Sequence, residues 1–266
     1  RLDGLDIRRE LDVLARLGGR VVIPGAGWPA SLADLANAAP FILWIRSGVG
    51  FDLDLAPAGS VAIVGSRAST RYGETLAAEM ALGLGEDGVT VVSGGAYGID
   101  AAAHRGALAA RAAPTVAVLA GGVDRLYPAG NEELFKRIAV EGALVAELPP
   151  GSSPGRHRFL ARNRLIAALT GATVVVEAGR RSGAISTANH AAALLLLGLD
   201  HGAAGGALGA GLQLEHLGLQ VDQVQQALDA QALLGRDLGA QHLAAEVLDL
   251  DVVLQQLLLD LRRVRA

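Results

Sequence analysis

Cysteine is absent from the 266 residues, which excludes a disulfide framework and any thiolate metal site. Lysine occurs once, as Lys136, against 22 arginines. No apolar run approaches the roughly 18 residues that a membrane span needs; the longest candidate, Ala191 to Leu199, is far too short. The start lacks a charged segment followed by an apolar one, so no secretory signal is read there. These absences lead to the expectation of a soluble cytoplasmic protein without a membrane partner. The length suits one sizeable core with a small appendage.

The net charge of −4 speaks mildly against a nucleic-acid binder, but the local balance reverses it. Between Gly151 and Arg181 stand Arg156, Arg158, Arg162, Arg164, Arg180 and Arg181 against the single acid Glu177, giving 6 − 1 = +5 before His157 is counted. A patch of this sign steers a polyanion, and distant acids do not cancel it beyond a Debye length of about 8 Å. A solvated helix face with unpaired arginines is the plainer alternative.

Along the chain, residues 1–55 read as a small helical module. Leu5, Leu11, Val13, Leu14 and Leu17 fit an amphipathic helix ended by Gly18-Gly19. Phe41–Arg46 reads as a buried strand, and 51–59 as a linker. From Ser60 the rhythm becomes strand, helix, strand, helix. Strands are predicted at Val61–Val64, Val89–Val92, Thr115–Leu119, Ala143–Glu147 and Thr173–Glu177. Helices are predicted near Arg71–Glu86, Ile99–Ala110, Asn131–Glu141, His157–Leu169 and Ala184–Leu197. The strands are continuous apolar runs, as in parallel strands covered on both faces. Alternating units of this length predict an α/β fold: a doubly wound, mostly parallel, extended Rossmann-like sheet over 56–200. Ligands of such sheets sit at the carboxyl ends of the strands. Residues 201–266 use few residue types; Leu250, Leu254, Leu257, Leu261 and Val264 follow helical spacing, so a mostly helical C-terminal tail is expected.

The unusual chemistry falls on the strand ends. Gly65-Ser66-Arg67 follows one strand and precedes a helix; glycine admits a close ligand, helix-start amides suit a phosphate, and arginine adds a two-pronged donor. An ordinary tight turn is the alternative. Ser93-Gly94-Gly95 repeats the design one unit later, as glycine runs that form anion-binding nests do. It is neither a P-loop nor the GxGxxG dinucleotide fingerprint. Asp100 and His104, four apart on a helix, share a face; with no convincing third ligand they are read as structural, and no metal, cofactor or catalytic group is assigned. Arg156, Phe159, Arg162, Asn163 and Arg164 lie in RHRFLARNR, cations around one ring, which suits phosphates and a stacked base. Core packing is the commoner fate for one of only 4 Phe. Asn163 reads as a loop or helix-cap anchor, and Arg162 or Arg164 as a phosphate ligand unless paired with Glu177. Ser182-Gly183 and Ser186-Thr187 open the last core helix, as phosphate donors or as caps.

The strings VAIVGSRASTRYG, SGGAYGIDAAAH, RFLARNR and VVVEAGRRSGAISTA resemble the DNA-processing protein A family, also called Smf, over about residues 60–197. The resemblance implies a non-catalytic homodimer that binds single-stranded DNA and loads the recombinase RecA in natural transformation. Carried over by position, the strand pocket comprises Gly65, Ser66, Arg67, Ser93, Gly94, Gly95, Arg156, Phe159, Arg162, Asn163, Arg164, Ser182, Gly183 and Thr187. The family often ends in a winged-helix module, of which the tail would be a degenerate form. The competing expectation is an enzyme, a nucleotide hydrolase of the phosphoribohydrolase type. That group needs a PGGxGT motif followed by a glutamate, which this chain lacks.

Overall fold

The computed structural model describes residues 7–53, 59–179 and 182–200. The expected helical tail, and Arg180 and Arg181 of the basic segment, lie outside these residues.

Seven strands form one mixed sheet in the order β1-β2-β6-β5-β4-β3-β7. Its parallel part consists of β3 (Ser60–Val64), β4 (Thr90–Ser93), β5 (Thr115–Leu119), β6 (Ala143–Ala146) and β7 (Ala172–Val175). Helices α2 (Arg71–Glu86), α3 (Ile99–Ala110), α4 (Glu132–Glu141) and α5 (Arg156–Ala168) connect them in turn, and α6 (Gly183–Asp200) follows β7. From β3 to β6 the chain steps outward one strand at a time, then returns so that β7 pairs with the other side of β3. With right-handed crossovers, this reversal sends α5 to the face opposite the earlier helices.

The apolar runs have the cause expected of them, burial on both faces. Val116, Val118, Ala143 and Val145 pack with Leu165 and Ile166 of α5. The alternate residues Ala117, Leu119, Leu144 and Ala146 pack with Phe135 and Ile138 of α4. A fully buried aliphatic side chain contributes roughly 1.5–3 kcal/mol, so strands with no solvated face carry much of the core.

The N-terminal segment departs from the reading as a helical module. Helix α1 (Ile7–Arg16) is present, but β1 (Gly19–Val22) and β2 (Leu43–Ser47) extend the main sheet with antiparallel pairing, β2 lying against β6. The sheet therefore runs across the boundary expected near residue 55. The four residues of β1 are too few for period-2 alternation to register. Phe41, read as part of the buried strand, stands outside β2 and is 87% exposed. Between these strands Ala30–Ala38 forms 3₁₀ turns that pack against α5.

Candidate nucleic-acid interface

The reversal between β3 and β7 creates a switch point, the place where an open α/β sheet receives its ligand. A cavity of about 910 Å³ opens there, lined from the β3–α2 loop by Gly65, Ser66, Arg67 and Ala68 and from the start of α6 by Ser182, Gly183, Ala184 and Thr187. Helix α5 contributes Arg156, Phe159, Leu160, Arg162, Asn163 and Ile166, and Val64, Ala96, Asp100 and Gly179 complete the lining.

On the β3 side, Gly65 is required by a close approach: a Cβ there would fall 2.5 Å from Cγ1 of Ile99. The Ser66 amide is not available to a phosphate. It donates to the Glu177 carbonyl at 2.6 Å, while the Ser66 carbonyl accepts from the Ile99 amide at 3.3 Å. A strand with neighbours on both sides has its end loop bonded to theirs. Arg67 remains exposed, its guanidinium 4.8 Å from the centroid of the Phe159 ring. Phe159 is half-buried, and the Tyr127 ring stands beside it at 5.8 Å and 49°. It serves as a wall of the site rather than as core.

The glycine loop after β4 has a different part. Ser93 is fully buried and its hydroxyl donates to the Ile63 carbonyl at 2.6 Å. Asn131 donates to the carbonyls of Gly95 and Ala96 at 3.0 and 3.1 Å. The Gly94 carbonyl accepts from Arg162 at 3.0 Å, and a Cβ on Gly94 would meet the guanidinium of Arg162 at 2.5 Å and the Asp100 carboxylate at 2.7 Å. Ser93, Gly94 and Gly95 thus lie beneath the cavity and are not among its lining residues.

Arg162 is buried, and its guanidinium ties the carbonyls of Gly94 and Val118, at the ends of β4 and β5. Burial lowers its pKa to about 10, with Asp100 opposing the shift, so it stays charged at neutral pH. Asp100 accepts from the Ala96 amide at 3.2 Å, and burial raises its pKa while Arg162 opposes. The two side chains together form the buried floor of the cavity. His104, one turn on, takes no part in it. Its Nδ1 lies 2.8 Å from the hydroxyl of Thr115, which itself donates to the Val91 carbonyl. The hydroxyl must then accept from Nδ1–H, and Nε2, where a second proton would go, is buried without a partner. Burial accordingly lowers the His104 pKa to about 3.

The other predicted residues divide in the same way. Arg164 lies apart from this cavity. It donates to the Ala38 carbonyl at 2.8 Å and pairs with Glu147 at 2.6 Å, bordering a smaller cavity of about 360 Å³ with His157 and Arg158. Asn163 lines the main cavity and donates to the Gly183 carbonyl at 3.0 Å, anchoring the start of α6. The Ser182 hydroxyl accepts from the Ala184 amide at 3.3 Å, a cap. Glu177, read as a partner for arginine, instead accepts from the amide and hydroxyl of Thr70 at 2.9 and 3.0 Å and fixes the start of α2. Ten predicted residues line one cavity: Gly65, Ser66, Arg67, Arg156, Phe159, Arg162, Asn163, Ser182, Gly183 and Thr187. Sequence reasoning missed Tyr127 and gave Asp100 only its structural part. No group of three or more His, Cys, Asp or Glu among the described residues is placed to hold a metal.

Fold and site define a class: a doubly wound α/β protein with a cationic and aromatic cavity at its switch point. A family model described as DNA recombination-mediator protein A matches residues 20–195, and the chain belongs to that family. It is 51% identical over 196 residues to a putative DNA processing protein DprA of Mycobacterium tuberculosis, covering 70% of this chain and 50% of that protein. It is 37% identical over 164 residues to the DNA processing protein DprA of Streptococcus pneumoniae, covering 62% and 56%. The chain thus spans about half the length of these curated relatives. The X-ray structure of the Streptococcus pneumoniae protein superposes with a TM-score of 0.63 at 32% identity, covering 71% of this chain and 64% of that one. A structure of DNA processing protein A from Helicobacter pylori, described for its single-stranded DNA binding mode, gives 0.58 at 29% identity, covering 65% and 75%.

Proposed function

We propose that this chain binds single-stranded DNA in the switch-point cavity and serves DNA processing as a binding protein rather than an enzyme. One observation carries the reading. Arg67, Arg156 and Phe159, from a loop and a helix far apart in sequence, converge on one cavity, with the Arg67 guanidinium 4.8 Å over the Phe159 ring. A cation at an aromatic face offers an unpaired nucleotide a phosphate contact and a stacking surface together. A duplex, its bases already stacked, can use only the first. In this reading Gly65, Ser66, Ser182, Gly183, Asn163 and Thr187 shape the cavity, and Ser93, Gly94, Gly95 and Arg162 support it from below. Arg164 braces the 3₁₀ segment. The protein works in the cytoplasm as a homodimer and hands its strand to RecA.

Fluorescence anisotropy with an oligothymidylate and with a duplex of equal length tests the binding step. The single strand should bind tighter, with affinity falling steeply as salt rises because phosphate contacts release counterions. Tighter binding of nucleoside monophosphates than of the oligomer would overturn the proposal and favour a nucleotide hydrolase. The transfer step is tested by RecA nucleation on strands pre-coated with single-strand binding protein, which this chain should accelerate.

A further inference from the structure

The chain has 3 tyrosines, and all stand at the carboxyl edge of the sheet. Tyr72 is in the first turn of α2, Tyr97 lies between β4 and α3, and Tyr127 lies between β5 and α4. Their exposures are 53%, 47% and 50%. Rings held half in water forgo much of the burial that normally stabilises an aromatic side chain, and here they ring the edge that carries the cavity.

Tyr127 is the one tied directly to the site. Its segment is pinned to the β4–α3 loop. The Gly130 amide donates to the Tyr97 hydroxyl at 3.2 Å, and Asn131 holds the carbonyls of Gly95 and Ala96. The Tyr127 ring sits 5.8 Å from Phe159 with the planes inclined at 49°. In such a tilted pair neither ring covers the face of the other, and the exposure of Tyr127 shows surface left open. It lies at the lip and not among the lining residues.

We infer that Tyr127 is a second stacking surface, taking the base next to the nucleotide held at Phe159 as the strand leaves the cavity across the ends of β4 and β5. This inference rests on the single-strand reading above. It extends the binding site by one nucleotide along the sheet edge, in the direction away from β7.

Titration of an oligothymidylate against wild type, Tyr127→Phe, Tyr127→Leu, Phe159→Ala and the Tyr127→Leu/Phe159→Ala double variant tests it, with a melting curve for each chain. Tyr127→Phe should bind within about twofold of wild type, whereas Tyr127→Leu, which keeps apolar bulk but no ring, should bind roughly five- to a hundred-fold more weakly. The salt slope should not change, since no cation is lost. Two independent surfaces predict that the loss in the double variant is the product of the single losses. A double variant no weaker than Phe159→Ala alone would make Tyr127 a mere support for Phe159 and overturn the inference. So would a Tyr127→Leu chain that binds like wild type. If wild type leaves the oligomer unbound, the single-strand reading falls, and this inference with it; normal wild-type binding with unaffected Tyr127→Leu sinks this inference alone.

Discussion

Gly65–Arg67 after β3 and Ser93–Gly95 at the end of β4 are neighbouring strand-to-helix connections that both join serine to glycine. They end up doing different work. The first lines the cavity and presents the exposed Arg67, while the second lies below it with its carbonyls held by Arg162 and Asn131. Composition does not separate them; the neighbours that fill the space do. Phe135 packs against Gly95, and the Arg162 guanidinium and Asp100 carboxylate crowd Gly94. A glycine can admit a ligand or admit the protein's own side chains, and only the packing says which.

The two arginines, Arg162 and Arg67, carry this contrast, and removing each should produce opposite phenotypes. The largest effect belongs to Arg162→Ala, which leaves the Asp100 carboxylate buried without its counter-charge and two carbonyls without their donor. A loss of about 3–5 kcal/mol in unfolding free energy is expected, read by denaturant titration; a stability change under about 0.5 kcal/mol would show that the floor is not held this way.

The buried side of the site should also respond to pH. His104 has its pKa lowered from 6.5 to about 3, so below about 6.5 the unfolded chain binds a proton that the folded chain refuses. The stabilisation is complete above that pH and declines by about 1.4 kcal/mol per unit as the pH falls toward 3. Asp100, with its pKa raised, acts in the opposite sense: its contribution is present below about 3.8 and lost as the pH rises through its folded value. His104→Gln removes the first titration alone, and its stability profile between pH 6.5 and 4 should be flatter than that of wild type. Identical profiles would mean that His104 charges freely in the fold.

Much of the fold could be read from sequence because it follows from burial. Strands covered on both faces must be apolar throughout, which is why β3 to β6 were legible, and α2 and α3 match their predicted limits residue for residue. What escaped was short or non-local. Strand β1 is too brief to show a period. The +5 segment misled in part, because a charge count cannot tell that Arg162 turns inward, that Arg164 pairs with Glu147, or that Glu177 caps α2 through Thr70. Asn163 reads in sequence as a loop or helix-cap anchor, and from the middle of α5 it does anchor the Gly183 carbonyl at the start of α6. The cations flanking Phe159 leave a cavity wall and core packing both open, and the ring stands in the wall. Tyr127 comes to Phe159 from 32 residues away in sequence, and no local pattern announces that.

The exposed partner in the comparison should show the smallest change in stability and the clearest change in binding. Arg67→Ala should leave unfolding free energy within about 0.5 kcal/mol. The decisive measurement is the salt dependence of oligothymidylate affinity for wild type and Arg67→Ala side by side. Weaker binding at every salt concentration, with the logarithmic slope reduced by about one counterion, is predicted. Equal affinities on parallel lines of equal slope would place the strand elsewhere on the molecule and contradict the account.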